Sequence, residues 1–246
     1  GNTGTIVTKA SKLGKFGKQN GYFSRLTVDM GSLLQGGLSY QNLHGEQWLD
    51  GLQDFEEETK DFDAYLERKV KPQLHELLTQ YGPVGLIWLD TPYTISRQHS
   101  IELRDLVHRL QPDCLVSGRI GNDVGDYGSL GDNQIPAGRV HADYETPATL
   151  NDTWGYKSTD HNWKSASTLV LLLNDLASKG VNYLLNVGPT ASGVIPEPSA
   201  ERLRTIGSWL AVNGESIYGT SSSPFPYEHI DMRKTCNPGN LFIHLL

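Results

Sequence analysis

The 246-residue chain contains only two cysteines, Cys114 and Cys236, which is too few for a disulfide framework or a cysteine metal cluster. No two histidines stand four apart on a helical pattern, and His141 and His161 lack companion carboxylates at ligand spacing, so no metal site is predicted. No apolar run approaches the roughly 18 residues of a membrane span. Basic residues are outnumbered 28 to 21 by acidic ones and never cluster; the net charge of -7 argues against nucleic acid or a membrane surface as partner. Gly-x-Ser-x-Gly is absent, Ser117-Gly118-Arg119 is no nucleophile elbow, and the glycines of 118–131 form no phosphate cradle. Residues 1–8 carry neither the charged nor the apolar segment of a secretory leader. The missing initiator Met points to a processed or partial chain.

What is present suits a globular α/β protein: 37% apolar residues, 26 Gly and 12 Pro. Residues 1–53 show little periodicity, with a possible strand end at Gly21–Ser24 and loop or strand at Leu33–Tyr40. From Asp54 a helical pattern emerges (Phe62, Leu66, Val70, Leu74, Leu77, Leu78) behind acidic Glu56–Glu58, and Pro72 predicts a kink or break. Gly82–Thr91 reads as a buried parallel strand ending on Asp90. A helix over Ser96–Leu110 and a short strand over Cys114–Ser117 follow, giving the alternation of an α/β fold. Residues 120–162 read as a long, aromatic-rich functional loop. Beyond it come a helix from Ser165 capped at Gly180, a strand Val181–Val187, and a helix from about Pro198 to Asn213 stopped by Gly214. The last strand, Leu241–Leu246, must pair with something earlier or mark a truncated second domain.

Trp88 and Asp90 share a strand face, and a carboxylate at the carboxyl end of a barrel strand would have an apolar floor and a catalytic setting. Capping of the following turn is the other reading. Arg119 and Glu145 come from the next strand end and the long loop, and meet Asp90 if successive strand ends share one barrel mouth. Two carboxylates roughly 5 Å apart suit a retaining glycosidase, with an Arg beside the nucleophile and Trp88, Tyr144 and Trp154 offering faces to a sugar ring. Equally, Arg119 serves as a structural partner of Asp90, Glu145 as a solvated charge and the aromatics as a satellite core.

The stretches Leu86–Asp90, Ser117–Arg119, Tyr144–Tyr156, Leu184–Pro196 and Gly207–Thr220 resemble, in order, the α-L-fucosidases of glycoside hydrolase family 29, over about four-fifths of the chain from Asp54. The resemblance implies a partial (β/α)8 TIM-like barrel within the α/β class, N-terminally shortened. The implied parts are an atypical segment 1–53, a barrel portion 54–222, and the truncated start of a β-sandwich, 223–246. It implies a retaining exo-α-L-fucosidase without metal or other cofactor, acting on fucosylated oligosaccharides or glycoconjugates and compatible with a secreted or periplasmic location. Asp90 corresponds to the nucleophile, Glu145 to the acid/base, and Trp88 and Arg119 to fucose-pocket residues. Tyr144 stands where the family usually has Trp. The family's early paired histidines have no counterpart here, the first histidine being His44. These departures predict either a fragment or a short protein that completes its barrel as a homo-oligomer, and leave a vestigial fucose-binding protein as the alternative function.

Overall fold

A computed structural model describes residues 4–7, 25–29, 61–90, 95–225 and 231–245. In chain order the elements are β1 (Gly4–Val7), β2 (Arg25–Asp29), α1 (Phe62–Tyr65), a π-helical turn (Leu66–Val70), α2 (Lys71–Gln80), β3 (Leu86–Asp90), α3 (Arg97–Leu110) and β4 (Leu115–Val116). They continue with β5 (Gly128–Ser129), β6 (Tyr144–Thr149), α4 (Ala166–Ser178), β7 (Val181–Val187), α5 (Glu197–Asn213), β8 (Met232–Asn237) and β9 (Asn240–Leu245). The chain divides into two compact units, Ser24–Tyr127 and Gly1–Phe23 with Gly128–Leu246. The sequence readings at Gly21–Ser24, Leu33–Tyr40 and Glu56–Glu58 fall outside the described residues.

In the unit Ser24–Tyr127, the sheet runs β2-β3-β4 and is parallel throughout. Leu66, Val70, Leu74 and Leu78, spaced by fours, are buried with Leu103 and Val107 of α3 against Ile87 and Leu89 of β3. Each such side chain contributes about 1.5–3 kcal/mol by leaving water. Ile87 and Leu89 face this helix-covered core, so Leu86, Trp88 and Asp90 share the opposite face. Pro72 takes the second position of α2, and the predicted break is the π turn just before it. Asp61 and Ser96 cap the two helical stretches through Ala64 N–H and His99 N–H. Gln111 then ties the end of α3 to the loop ahead of β3, donating to Leu78 O and Gly82 O and accepting from Val84 N–H.

In the second unit the sheet order is β1-β7-β6-β5, with β5, β6 and β7 parallel and β1 antiparallel to β7. The region 120–162, read as loop, therefore contains two strands. Pro147 and the threonines hid β6, yet its residues are buried in register with β7, Glu145 beside Asn182 and Thr149 beside Asn186. Val181, Tyr183 and Leu185 pack with Leu169, Leu173 and Leu176 of α4, so Asn182, Leu184 and Asn186 occupy the other face. Ser165 caps α4 through Thr168 N–H, and Gly180, at φ +82°, leads out of it into β7. Gly214 follows the last residue of α5, as predicted, though not in the left-handed conformation: at φ -60° it opens a separate 3-10 turn, Gly214–Ser216.

The C-terminal strand has an earlier partner. β8 and β9 form a hairpin closed at Pro238-Gly239. Asp175 of α4 holds it in place, accepting from Arg233 Nε and pairing with Lys179 Nζ at 2.9 Å. Thr235 donates to Ser216 O at 2.6 Å and so accepts from His244 Nε2 at 3.2 Å. Leu241, Ile243 and Leu245 form an exposed row on the opposite face. Among the described residues no helix is long and apolar enough to cross a membrane.

Candidate functional site

In the unit Ser24–Tyr127, Trp88, Asp90 and Arg119 are brought together. Asp90 is the last residue of β3, and Trp88, 6% exposed, floors the same strand face. The β3–β4 ladder continues one residue past β4, with Ser117 N–H donating to Ile87 O at 3.0 Å. Ser117 then caps a 3-10 turn, Gly118–Ile120, its hydroxyl accepting from Arg119 N–H at 3.2 Å. This turn delivers the guanidinium to 3.6 Å from Asp90 Oδ1, with Cζ 5.2 Å from the Trp88 ring centroid. A permanent positive charge thus stands between a carboxylate and the face of an indole.

The turn is braced from behind. Asn122 donates to Ile95 O and Ser100 Oγ, and Ser100 Oγ donates to Ile120 O. Asp126 accepts from Val116 N–H at 2.7 Å and pairs with His108 at 3.0 Å. Burial pushes the neighbouring Cys114 thiol up to about 12, with the Asp126 charge adding to the effect, so it is an inert part of the core.

The remaining candidates belong to the second unit. Glu145 is the second residue of β6 and 3% exposed, so it lies at the amino end of its strand and not at a strand's carboxyl end as the sequence reading required. Tyr144 and Glu145 are adjacent in a strand and face opposite sides. Tyr144 lies against Gly128 of β5 and packs on the helix-side core, away from the face that holds Glu145. Trp154 follows β6 and is half-buried at the carboxyl end of the sheet, where Asn186 Nδ2 donates to its carbonyl at 2.6 Å.

The same carboxyl edge carries groups not singled out from the sequence. Asp132 and Asn133 follow β5, and Asn133 Oδ1 accepts from Thr149 N–H at 3.0 Å. A two-residue strand leaves almost no hydropathy signal, which is why these residues were hidden. Lys164 reaches Thr149 O at 2.7 Å and Thr149 Oγ1 at 3.2 Å, and burial pulls its pKa below the ordinary lysine value against the pull of Asp152 and Asp160.

A family model described as alpha-L-fucosidase matches residues 22–215. The plasma alpha-L-fucosidase of Rattus norvegicus is 32% identical over 166 residues, 62% of this chain and 36% of the relative. The alpha-L-fucosidase of Dictyostelium discoideum is 30% identical over 169 residues, 64% of this chain and again 36% of the relative. The match therefore spans about a third of the length of these curated relatives. Alpha-L-fucosidase isoenzyme 1 from Paenibacillus thiaminolyticus superposes with a TM-score of 0.74 at 31% identity, covering 82% of this chain and 52% of that one. An alpha-L-fucosidase from Vibrio sp. strain EJY3 gives 0.73 at 30% identity over 78% of this chain and 35% of that one. One from Lactobacillus casei, solved in complex with alpha-L-fucose product, gives 0.57 at 39% identity over 65% and 49%.

Proposed function

From its membership of the α-L-fucosidase family, to which this chain belongs, we propose that it hydrolyses terminal α-L-fucosides of oligosaccharides or glycoconjugates with retention of configuration. The observation that carries the reading is Arg119, held beside Asp90 and over Trp88 at the end of β3. In this role Asp90 attacks the anomeric carbon and the leaving oxygen departs with a proton from a carboxylic acid. The resulting glycosyl ester is then hydrolysed by water that the same acid, now a base, deprotonates. Arg119 compensates the charge on Asp90 and offers N–H donors to sugar hydroxyls, while Trp88 supplies an apolar floor. The parallel β2-β3-β4 and β5-β6-β7 ladders are the strands of a partial (β/α)8 barrel in this reading.

Two carboxylates contend for the proton-donor role. Sequence resemblance favours Glu145; strand polarity favours Asp132, because parallel α/β enzymes work from the carboxyl ends of their strands. Thr149, at the far end of β6, is four residue steps from Glu145, about 13 Å of extended chain.

The test is hydrolysis of an aryl α-L-fucoside by the 246-residue chain, with labelling by a mechanism-based fluoro-fucoside. Asp90→Ala should lower kcat by about a thousandfold or more and abolish the covalent adduct. Of Glu145→Gln and Asp132→Asn, the true acid is the one whose loss slows poor leaving groups far more than activated ones. A folded chain that binds fucose without turnover, with no adduct on Asp90, would make it a fucose-binding protein instead.

A further inference from the structure

The turn that carries Arg119 runs on into three consecutive residues with positive φ: Gly121 at +86°, Asn122 at +58° and Asp123 at +54°. Glycine adopts that region freely, whereas a side chain there costs free energy that the surroundings must supply. Asn and Asp bear the cost best, because their short polar groups bond to nearby backbone. The backbone shape at 122 is therefore met by Asn, Asp or Gly, and it is the side-chain amide that singles out Asn. Both of its hydrogens are used, Nδ2 donating to Ile95 O at 3.1 Å and to Ser100 Oγ at 3.0 Å. Ser100 Oγ in turn donates to Ile120 O at 3.0 Å, and Ser100 and Ile120 are fully buried. An Asp carboxylate has no hydrogen to give here, and Gly has no side chain.

Ile95 lies five residues past Asp90, and Ile120 directly after Arg119. One amide thus ties the chain that leaves the carboxylate to the turn that carries the guanidinium, with Ser100 of α3 as the link. The guanidinium stands 3.6 Å from Asp90 Oδ1 and over the Trp88 ring, a placement that a movement of about 1 Å in the turn would spoil. We propose that Asn122 is a positioning residue, whose amide sets where Arg119 stands against Asp90 and Trp88. All of these groups belong to the unit Ser24–Tyr127. The consequence for turnover rests on the fucosidase reading above; the geometric claim does not.

The experiment uses Asn122→Gly, which keeps the backbone conformation and removes only the donated hydrogens, alone and combined with Arg119→Ala. With the full chain labelled with 5-fluorotryptophan and the Trp88 signal assigned through Trp88→Phe, fluorine NMR reads the ring beneath the guanidinium. Asn122→Gly should move that signal in the direction that Arg119→Ala moves it, and the double variant should go no further than Arg119→Ala alone. A Trp88 signal that Asn122→Gly leaves in place overturns the proposal. On an aryl α-L-fucoside, Asn122→Gly should lower kcat/KM about tenfold in the native background and by less than about twofold in the Arg119→Ala background. Equal losses in the two backgrounds reduce Asn122 to a general stabiliser of the fold and also overturn it. If the native chain hydrolyses no fucoside, the fucosidase reading fails and the Trp88 signal alone decides. Should Asn122→Gly not fold, Asn122→Asp, which has the same shape but no hydrogen to donate, is read in the same way.

Discussion

Gly125 lies flat against Gly118: a Cβ on Gly125 would stand 2.5 Å from both the Cα and the N of Gly118, and 2.7 Å from the Ser117 carbonyl carbon. Backbone at that range cannot yield as a flexible side-chain tip can, so Gly125→Ala must displace the turn that carries Arg119. The expected cost is about 1–3 kcal/mol of stability by urea denaturation. Fucoside turnover should also fall by about tenfold or more, because the guanidinium no longer reaches Asp90. A destabilised variant with native kcat/KM would show that this turn does not hold a functional group.

Arg119→Lys keeps the charge but loses the planar group that lies over Trp88. Kinetics and melting should separate: kcat/KM down about ten- to a hundredfold, with the melting temperature shifted by only a few degrees. A change in melting alone would reduce Arg119 to a structural partner of Asp90.

Two ion pairs in the second unit should differ sharply. Asp175 serves both Arg233 and Lys179 with side chains 9–19% exposed, whereas Arg204 and Glu197 pair at 69% and 73% exposure. Asp175→Asn removes the carboxylate that Arg233 and Lys179 share and should cost about 2–4 kcal/mol, and limited proteolysis should then cut first near the β8–β9 hairpin. Glu197→Gln should change stability by less than about 0.5 kcal/mol. Similar losses in both variants would refute this account of the hairpin's attachment.

His244 provides a pH test. Burial lowers its pKa from the ordinary 6.5. The unfolded chain then takes up a proton near pH 6.5 that the folded protein binds only at lower pH. This group's effect on stability is therefore nil well above pH 6.5 and grows unfavourable as pH falls through 6.5 toward the folded pKa. Urea midpoints at pH 7.5 and 5.5 should drop more for the native protein than for His244→Gln, and equal drops would show that His244 is not the sensor.

The helices were legible because a stripe of apolar residues is a property of sequence alone: Leu66, Val70, Leu74 and Leu78 mark a buried face without reference to any neighbour. β3 was legible for the same reason, and Asp90 stood out because the apolar run ends on it. β6 was not. Its Thr146 and Thr149 are buried at 0% and 2% exposure with their hydroxyls donating to Gln134 O, in the preceding loop, and to Asn151 O, just past the strand, partners that no strand pattern reveals. The same reasoning separates Arg119, visible in Ser-Gly-Arg, from the Gly125 that seats it. Glu145 illustrates the converse, since its sequence neighbourhood says nothing about which end of the strand it occupies.

The row Leu241, Ile243 and Leu245 bears on how the protein behaves in the tube. Three aliphatic side chains on one face of the β8–β9 hairpin, at 44%, 56% and 78% exposure, form a greasy strip. Such a strip favours self-association as concentration rises, and a single charge at Ile243 is the change that would weaken it while leaving the carboxylates of the candidate site untouched.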